Sequence, residues 1–206
     1  GLTPETQTAL DEMIADAYAA GLNLYDASDY RSYPDQIAVY QEYCVRDGWE
    51  EADTYSARPG HSEHQTGMVI DFNDINSDFD DTAEAQWLAE NCANYGFIVR
   101  FPEGKEPITG YKYESWHVRY VGVETAKEIM SRGICLEEYL GVDSEYKNTW
   151  PEDPCNPESG VSAGVAGDCG RHGCCYRKNC FSGSLMWGGQ LQRYEITSKS
   201  GKKLFH

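Results

Sequence analysis

No apolar run in this chain approaches the ~20 residues needed to cross a bilayer, which excludes a helical membrane span. No basic stretch followed by an apolar one stands at the N-terminus either. Two expectations follow: a cytosolic protein, or a mature chain from which a leader has been trimmed. Basic residues are scarce, with 17 Lys and Arg against 34 Asp and Glu, for a net charge of −17. A chain this acidic repels phosphate, which excludes general binding of nucleic acid or of an anionic membrane. There is no internal repeat, and strands and helices follow each other without a regular βαβ beat. What remains is globular in composition: 40% hydrophobic and 13% aromatic over 206 residues, enough for one substantial domain with an appendage, or for two small ones.

Charge and cysteine are both unevenly spread. Residues 1–154 hold 10 Lys and Arg against 31 Asp and Glu, a net −21; residues 155–206 hold 7 against 3, a net +4. Cys44, Cys92 and Cys135 lie in the body, while Cys155, Cys169, Cys174, Cys175 and Cys180 crowd a stretch rich in Gly and Ser. Such a segment has little with which to build a core, so it needs either a metal or disulfides. Cys169-x2-His172-x-Cys174 matches no familiar zinc spacing, and the disulfide reading, with an oxidising compartment, is preferred. Since three and five are both odd, complete pairing would require at least one bridge from body to tail.

Thr3 to Ala20 reads as a capped amphipathic helix, with Leu10, Met13, Ile14 and Tyr18 on one side and Gly21 ending it. Leu22–Tyr25 reads as a short strand, and Pro34–Arg46 as a second helix. Residues 53–63 are loop by composition, broken by Pro59-Gly60. GMVIDF (67–72) is a strand, Thr82–Tyr95 a helix, and Phe97–Phe101 a strand. Tyr111–Tyr113 and Trp116–Val121 bracket another strand, and Glu124–Arg132 is a final helix before ICLEEYL. This order predicts an α+β domain. PEDPCNPESG marks a linker, so the expected domains are 1–150 and a Cys-rich extension, 151–206, whose GGQLQRYEITSKSGKKLFH stretch suits one strand or hairpin.

The chemistry concentrates in SEHQTGMVID (62–71) and ESWH (114–117). Imidazole and carboxylate are ligands that Zn²⁺ accepts, and a catalytic zinc keeps three protein ligands and one open position. His64, Asp71 and His117 would supply two nitrogens and an oxygen. Strand alternation lets the Asp71 carboxylate leave the sheet while its neighbours pack. Glu114, three residues before His117 on an expected tight connection, would stand beside the metal without binding it, where it can take a proton from the attacking water. Each piece alone is also what surface polar residues and loop histidines look like. The joint pattern is far more specific.

That joint pattern, Ser-x-His-x-x-Gly-x-x-x-Asp followed by Glu-x-Trp-His, resembles the zinc D-alanyl-D-alanine carboxypeptidases, the vancomycin-resistance type included, in the group that also holds lysostaphin-like enzymes and the zinc domain of hedgehog. SDYRSYPDQ (28–36), SARPGHSEHQTG (56–67), YGFIVRFPEGKEPITGYKYESWHVRYVG (95–122) and LEEYLG (136–141) also look like family segments. The resemblance runs from about residue 3 to 142 and leaves out the tail. It implies a small antiparallel sheet carrying one Zn²⁺ per chain and flanked by helices. It also implies that His64, Asp71 and His117 are the ligands, Glu114 the base, and Arg31 the cation facing the scissile carbonyl or the substrate's terminal carboxylate. Gln36 and Ser62 would hold the C-terminal D-residue, and Trp116 would be a pocket wall or a core tryptophan. His61 is read as loop structure, and His172 and His206 receive no role.

The implied activity is removal of the C-terminal D-Ala from a peptidoglycan stem peptide by a monomer working outside a bacterium's cytoplasmic membrane, in agreement with the cysteine argument. The same motifs serve L,D-carboxypeptidases acting on tetrapeptide stems and some endopeptidases. From a different class, a zinc-holding cell-wall-binding module that has lost activity remains open, although Glu114 and Arg31 are both present. For the tail, a wall- or partner-binding role stands beside a plain structural extension.

Overall fold

The computed structural model describes residues 1–144 and the backbone of two short strands near the C-terminus. The chain opens on helix α1 (Pro4–Ala19), which Thr3 caps by accepting the Thr6 N–H. Pro4 in the first turn needs no hydrogen-bond partner there. Strand β1 (Asp26–Ser28) follows, then α2 (Tyr33–Asp47), capped by Ser32, and the single-turn α3 (Trp49–Ala52). A loop leads to a 3₁₀ turn (Glu63–Thr66) and β2 (Val69–Phe72). The helix expected over 82–95 is α4 (Ala83–Asn91) tightened into a 3₁₀ turn (Cys92–Tyr95) before β3 (Phe97–Phe101). A short α5 (Glu106–Thr109), β4 (Glu114–Tyr120), α6 (Val123–Arg132) and α7 (Leu136–Leu140) complete the body. In the tail, β5 (Ile196–Thr197) pairs antiparallel with β6 (Lys203–Leu204), as the expected hairpin would.

The body strands form one antiparallel sheet in the order β1-β2-β4-β3, the small sheet flanked by helices that the α+β reading expects. One face carries Ile70, Phe72, Phe97 and Val118 into the main core, where Leu10, Met13 and Ala17 of α1 and Leu88 of α4 cover them. A second cluster joins Ile98 and Val121 to Ala126 and Ile129 of α6 and Leu136 and Leu140 of α7. A third, around Tyr40, Cys44 and Ala52, fixes α2 against α3.

Two expectations are corrected. The strand lies at Asp26–Ser28, not Leu22–Tyr25. Leu24 is apolar because it enters the main core, and the backbone beside it is bridged by one side chain: Asn73 accepts the Tyr25 N–H through Oδ1 and donates Nδ2–H to the Asn23 carbonyl. Asn73 does so at φ +52°, a left-handed conformation that asparagine tolerates. Glu114 is not on a connection but is the first residue of β4, opposite Phe101. Cys44, Cys92 and Cys135 are buried in separate places, and no disulfide joins any two of them; the five tail cysteines, and with them the expected body-to-tail bridge and the 150/151 boundary, lie outside the described residues.

Candidate active site

Asp71 and His117 face each other across β2 and β4 as a directly paired couple, so both side chains leave the sheet on the same side, away from the main core. His64 comes from the 3₁₀ turn just before β2. That turn closes on Gly67, at φ +70°, where a Cβ would come within 2.7 Å of the Gly1 carbonyl oxygen. Here the glycine of the motif is required by both conformation and space. The Thr3 N–H binds the Gly67 carbonyl at 2.9 Å, so the start of the chain braces the turn.

In a regular strand Glu114 and His117, three apart, would point to opposite faces. Between the Val99/Val118 and Phe101/Glu114 pairs the register slips, with one residue on β3 facing three on β4. This irregularity returns Glu114 to the side of His117, 3.5 Å from its Nδ1. It does what the expected tight connection was to do.

The three candidate ligands converge. His64 Nε2 lies 3.1 Å from Asp71 Oδ2 and His117 Nδ1 lies 2.8 Å from Asp71 Oδ1; one ligand atom from each falls within 4.8 Å of the others, and all three residues are buried. Asp71 Oδ1, although this close, has no hydrogen-bond partner. Lone pairs that meet at a common point, rather than at each other's hydrogens, are what a cation needs. The donor set, two imidazoles and a carboxylate, fits zinc. His64 is set for this by its other nitrogen, 2.5 Å from the Asp29 carbonyl oxygen. If Nδ1 donates there, Nε2 is left as the ligand.

Electrostatics agree. Burial alone would raise the Asp71 carboxyl, yet His64 and His117 hold it well below the usual carboxylate range. Burial lowers His117, keeping its imidazole neutral against the pull of Asp71. Glu114 is pushed well up, first by burial and then by the Asp71 charge, with Arg31 opposing. A divalent cation in the trio would add to the effect of Arg31.

Arg31 reaches over from the β1–α2 loop, its guanidinium 4.0 Å from Asp71 Oδ2. It donates to Gln36 Oε1 and to Ser28 Oγ, both at 2.9 Å, and its own N–H binds the His64 carbonyl at 3.2 Å. Gln36, wholly buried, donates Nε2–H to the Ala57 carbonyl at 2.7 Å. Its amide thus orients the arginine. Arg31, Gln36, Ser62, Glu114 and Trp116 all line a cavity of about 140 Å³ above the trio. Trp116 fills both of its expected roles, since it also packs against the main core.

The family model for D-alanyl-D-alanine carboxypeptidase (VanY) matches residues 1–123. The chain belongs to this family. Among relatives, it is 38% identical over 143 residues to a D-alanyl-D-alanine carboxypeptidase of Enterococcus faecalis, covering 65% of this chain and 53% of that one. The chain spans about half the length of the D-alanyl-D-alanine carboxypeptidases it matches in two enterococci. Among solved structures, it is similar to an L,D-carboxypeptidase DacB from Streptococcus pneumoniae (46% identity, TM-score 0.63, covering 70% of this chain and 79% of that one). It is also similar to a variant of the vancomycin resistance D,D-pentapeptidase VanY, solved in complex with Zn(II) (35% identity, TM-score 0.62, covering 68% and 83%).

The VanY-type motif places every residue singled out from the sequence at one cavity, but that reading missed what surrounds them. Tyr43, Tyr55, Phe101 and Tyr111 also line the cavity, as does His61, read only as loop structure. The Phe101 ring lies 5.0 Å from that of His117. Behind the trio, Arg100 of β3 binds Glu63 Oε1 at 2.9 Å and grips both carboxylate oxygens of Glu137 on α7, while Arg119 of β4 approaches Glu63 Oε2 at 3.3 Å. Glu63 stood inside the motif, but nothing in its spacing announced partners 37 and 56 residues away.

Proposed function

We propose that this chain is a zinc-dependent D-alanyl-D-alanine carboxypeptidase that removes the C-terminal D-Ala from peptidoglycan stem peptides. The observation that carries the reading is the buried His64–Asp71–His117 trio with Glu114 at its edge and Arg31 opposite, all open to one cavity. The activity for which the family and its enterococcal relative are named supports it, and the Zn(II) of the VanY structure supports the choice of metal. His64, Asp71 and His117 would hold the zinc, which when bound lowers the pKa of water towards ~7 and polarises a carbonyl. Glu114 accepts the proton of the attacking water and returns it to the leaving amine. Arg31, held as a planar fork by Gln36 and Ser28, faces the developing oxyanion or the terminal carboxylate. Ser62 offers a hydroxyl to the D-residue, and Trp116 walls the pocket. Gln36 acts through Arg31.

Residues 1–150 form the catalytic domain in this reading and 151–206 an extension. In this reading the enzyme works as a monomer outside the cytoplasmic membrane, where its substrate lies and where disulfides in the extension are permitted. A second reading, L,D-carboxypeptidase acting on tetrapeptide stems, is favoured by one observation: identity to the L,D-specific structure, at 46%, exceeds the 35% to the D,D-specific one.

The test incubates zinc-loaded protein with a stem pentapeptide ending in D-Ala-D-Ala, its C-terminal amide, and the tetrapeptide, with products identified by mass. Release of D-Ala from the pentapeptide but little from its amide is expected, because buried polar groups left unpaired cost roughly 1–3 kcal/mol each. Cleavage of the tetrapeptide alone would transfer the assignment to the L,D reaction. Equal cleavage of the amide would indicate an endopeptidase. No cleavage with zinc bound would leave a binding module.

A further inference from the structure

Among the described residues, four buried side-chain polar atoms have no hydrogen-bond partner: Glu63 Oε2, Asp71 Oδ1, His117 Nε2 and Arg119 Nε. Asp71 Oδ1 is accounted for, since it faces the metal position beside His117 Nδ1. With Nδ1 turned there, a neutral His117 must carry its hydrogen on Nε2. That leaves a buried donor with no acceptor. A buried N–H in that condition is rare in native proteins unless a partner stands ready.

The acceptor at hand is Glu63. His117 and Arg119 are two apart on β4 and extend from the same face, and Glu63 Oε2 already lies 3.3 Å from the Arg119 guanidinium. Glu63 and His117 also line the same cavity. Nor is Glu63 free to turn away. Its other oxygen is held at 2.9 Å by Arg100, which is itself fixed by both oxygens of Glu137 at 2.6 and 3.0 Å. Arg100 and Arg119 both approach the Glu63 carboxylate, at 2.9 and 3.3 Å, and two cations at that distance favour its accepting, ionised form. The outermost member, Glu137, sits on α7, beyond the segment that the family model covers.

We propose that Glu63 is the positioning residue of His117, its Oε2 accepting the Nε2–H of the imidazole and so fixing the ring with Nδ1 toward the metal. Arg100 and Glu137 hold Glu63 in place. The inference rests on the reading of His117 as a zinc ligand. Removing such an outer carboxylate typically weakens metal binding by about 10- to 100-fold.

The test measures zinc affinity by chelator competition for wild type, Glu63→Gln, Glu63→Asp and Glu137→Gln, together with the melting temperature of each metal-free protein. Glu63→Gln should lose about 10- to 100-fold in affinity, and Glu63→Asp, which keeps the charge, should lose less. Glu137→Gln loosens the same arginine from its far side while Arg119 still approaches Glu63; it should melt lower and lose clearly less zinc affinity than Glu63→Gln. Unchanged affinity in Glu63→Gln, or an equal loss in Glu137→Gln, would overturn the proposal, the second because the network would then act through packing alone. If Glu63→Gln does not fold, long-range ¹⁵N–¹H spectra of the zinc-loaded wild type decide: a proton on Nε2 of His117 shifted downfield by a carboxylate acceptor is expected, and an unshifted Nε2 proton, or a proton on Nδ1, refutes the proposal. A wild type that takes up no zinc would overturn this inference together with the reading beneath it, whereas the outcomes above overturn this inference alone.

Discussion

The two faces of one four-stranded sheet are equally dry and are built on opposite principles. Toward α1 and α4, Ile70, Phe72, Phe97 and Val118 meet Met13 and Leu88, all of them wholly buried. Toward the cavity, Asp71, Glu114 and His117, with Arg100 of β3 beside them, are at most 8% exposed, yet they carry charge or a titratable ring. The apolar face gains from burial whatever the partner, since the hydrophobic effect is non-directional. The polar face gains only when every group finds its counterpart, because an unpaired buried charge is strongly destabilising. One face therefore supplies stability and tolerates repacking; the other gives up stability for geometry.

The largest expected effect lies on the polar face and concerns rate alone. Glu114→Gln, which keeps volume and removes the base, should lower kcat/KM on a D-Ala-D-Ala pentapeptide by about 10²- to 10⁴-fold, with zinc stoichiometry unchanged. A variant retaining most of its rate would strike Glu114 from the mechanism. On the apolar face Leu88→Ala should cost about 2–5 kcal/mol in denaturant unfolding, while at low temperature the folded fraction keeps its zinc affinity. If affinity falls in step with stability, the two faces are not independent and the contrast fails.

The smallest effect sharpens the polar face further. Asp26, exposed at the start of β1, is pushed up to about 6, first by partial desolvation and then by the charges of Asp29 and Asp71. A carboxyl raised above its unfolded value of about 3.9 favours the protonated form in the folded state. Its stabilising contribution is therefore complete below that value and is lost as the pH rises through about 6. In metal-free protein, Asp26→Asn should melt with the wild type near about pH 4 and above it near about pH 7.5. A difference that does not grow over this window would show that Asp26 is not under strain from its neighbours.

The first helix was legible because a cap and a period announce it, and Ser32 and Thr82 prove to cap α2 and α4 in the same way as Thr3 caps α1. The site was legible for a different reason. Its candidate ligands sit in two short motifs, and β2–β4 pairing then places Asp71 opposite His117. What escaped was non-local. Leu22–Tyr25 has the composition of a strand, but a side chain 50 residues on from Asn23 takes up its backbone groups. Glu63, Arg100 and Glu137 are unremarkable charges until folding brings them together. Single-turn α3, α5 and α7 are too short for periodicity to reveal.

The slipped register between β3 and β4 gives the motif Glu-x-x-His a meaning that its letters do not carry. Three residues of β4 oppose one of β3 there, and only that count turns Glu114 and His117 to the same side. Deleting or inserting a single residue between them would keep both letters but undo this register, changing how far the glutamate stands from the histidine and what it faces on β3. In searching genomes for chains able to run this reaction, the interval between the glutamate and the histidine is therefore as strict a criterion as the two residues themselves, and a chain that matches at both letters but miscounts the gap is best set aside.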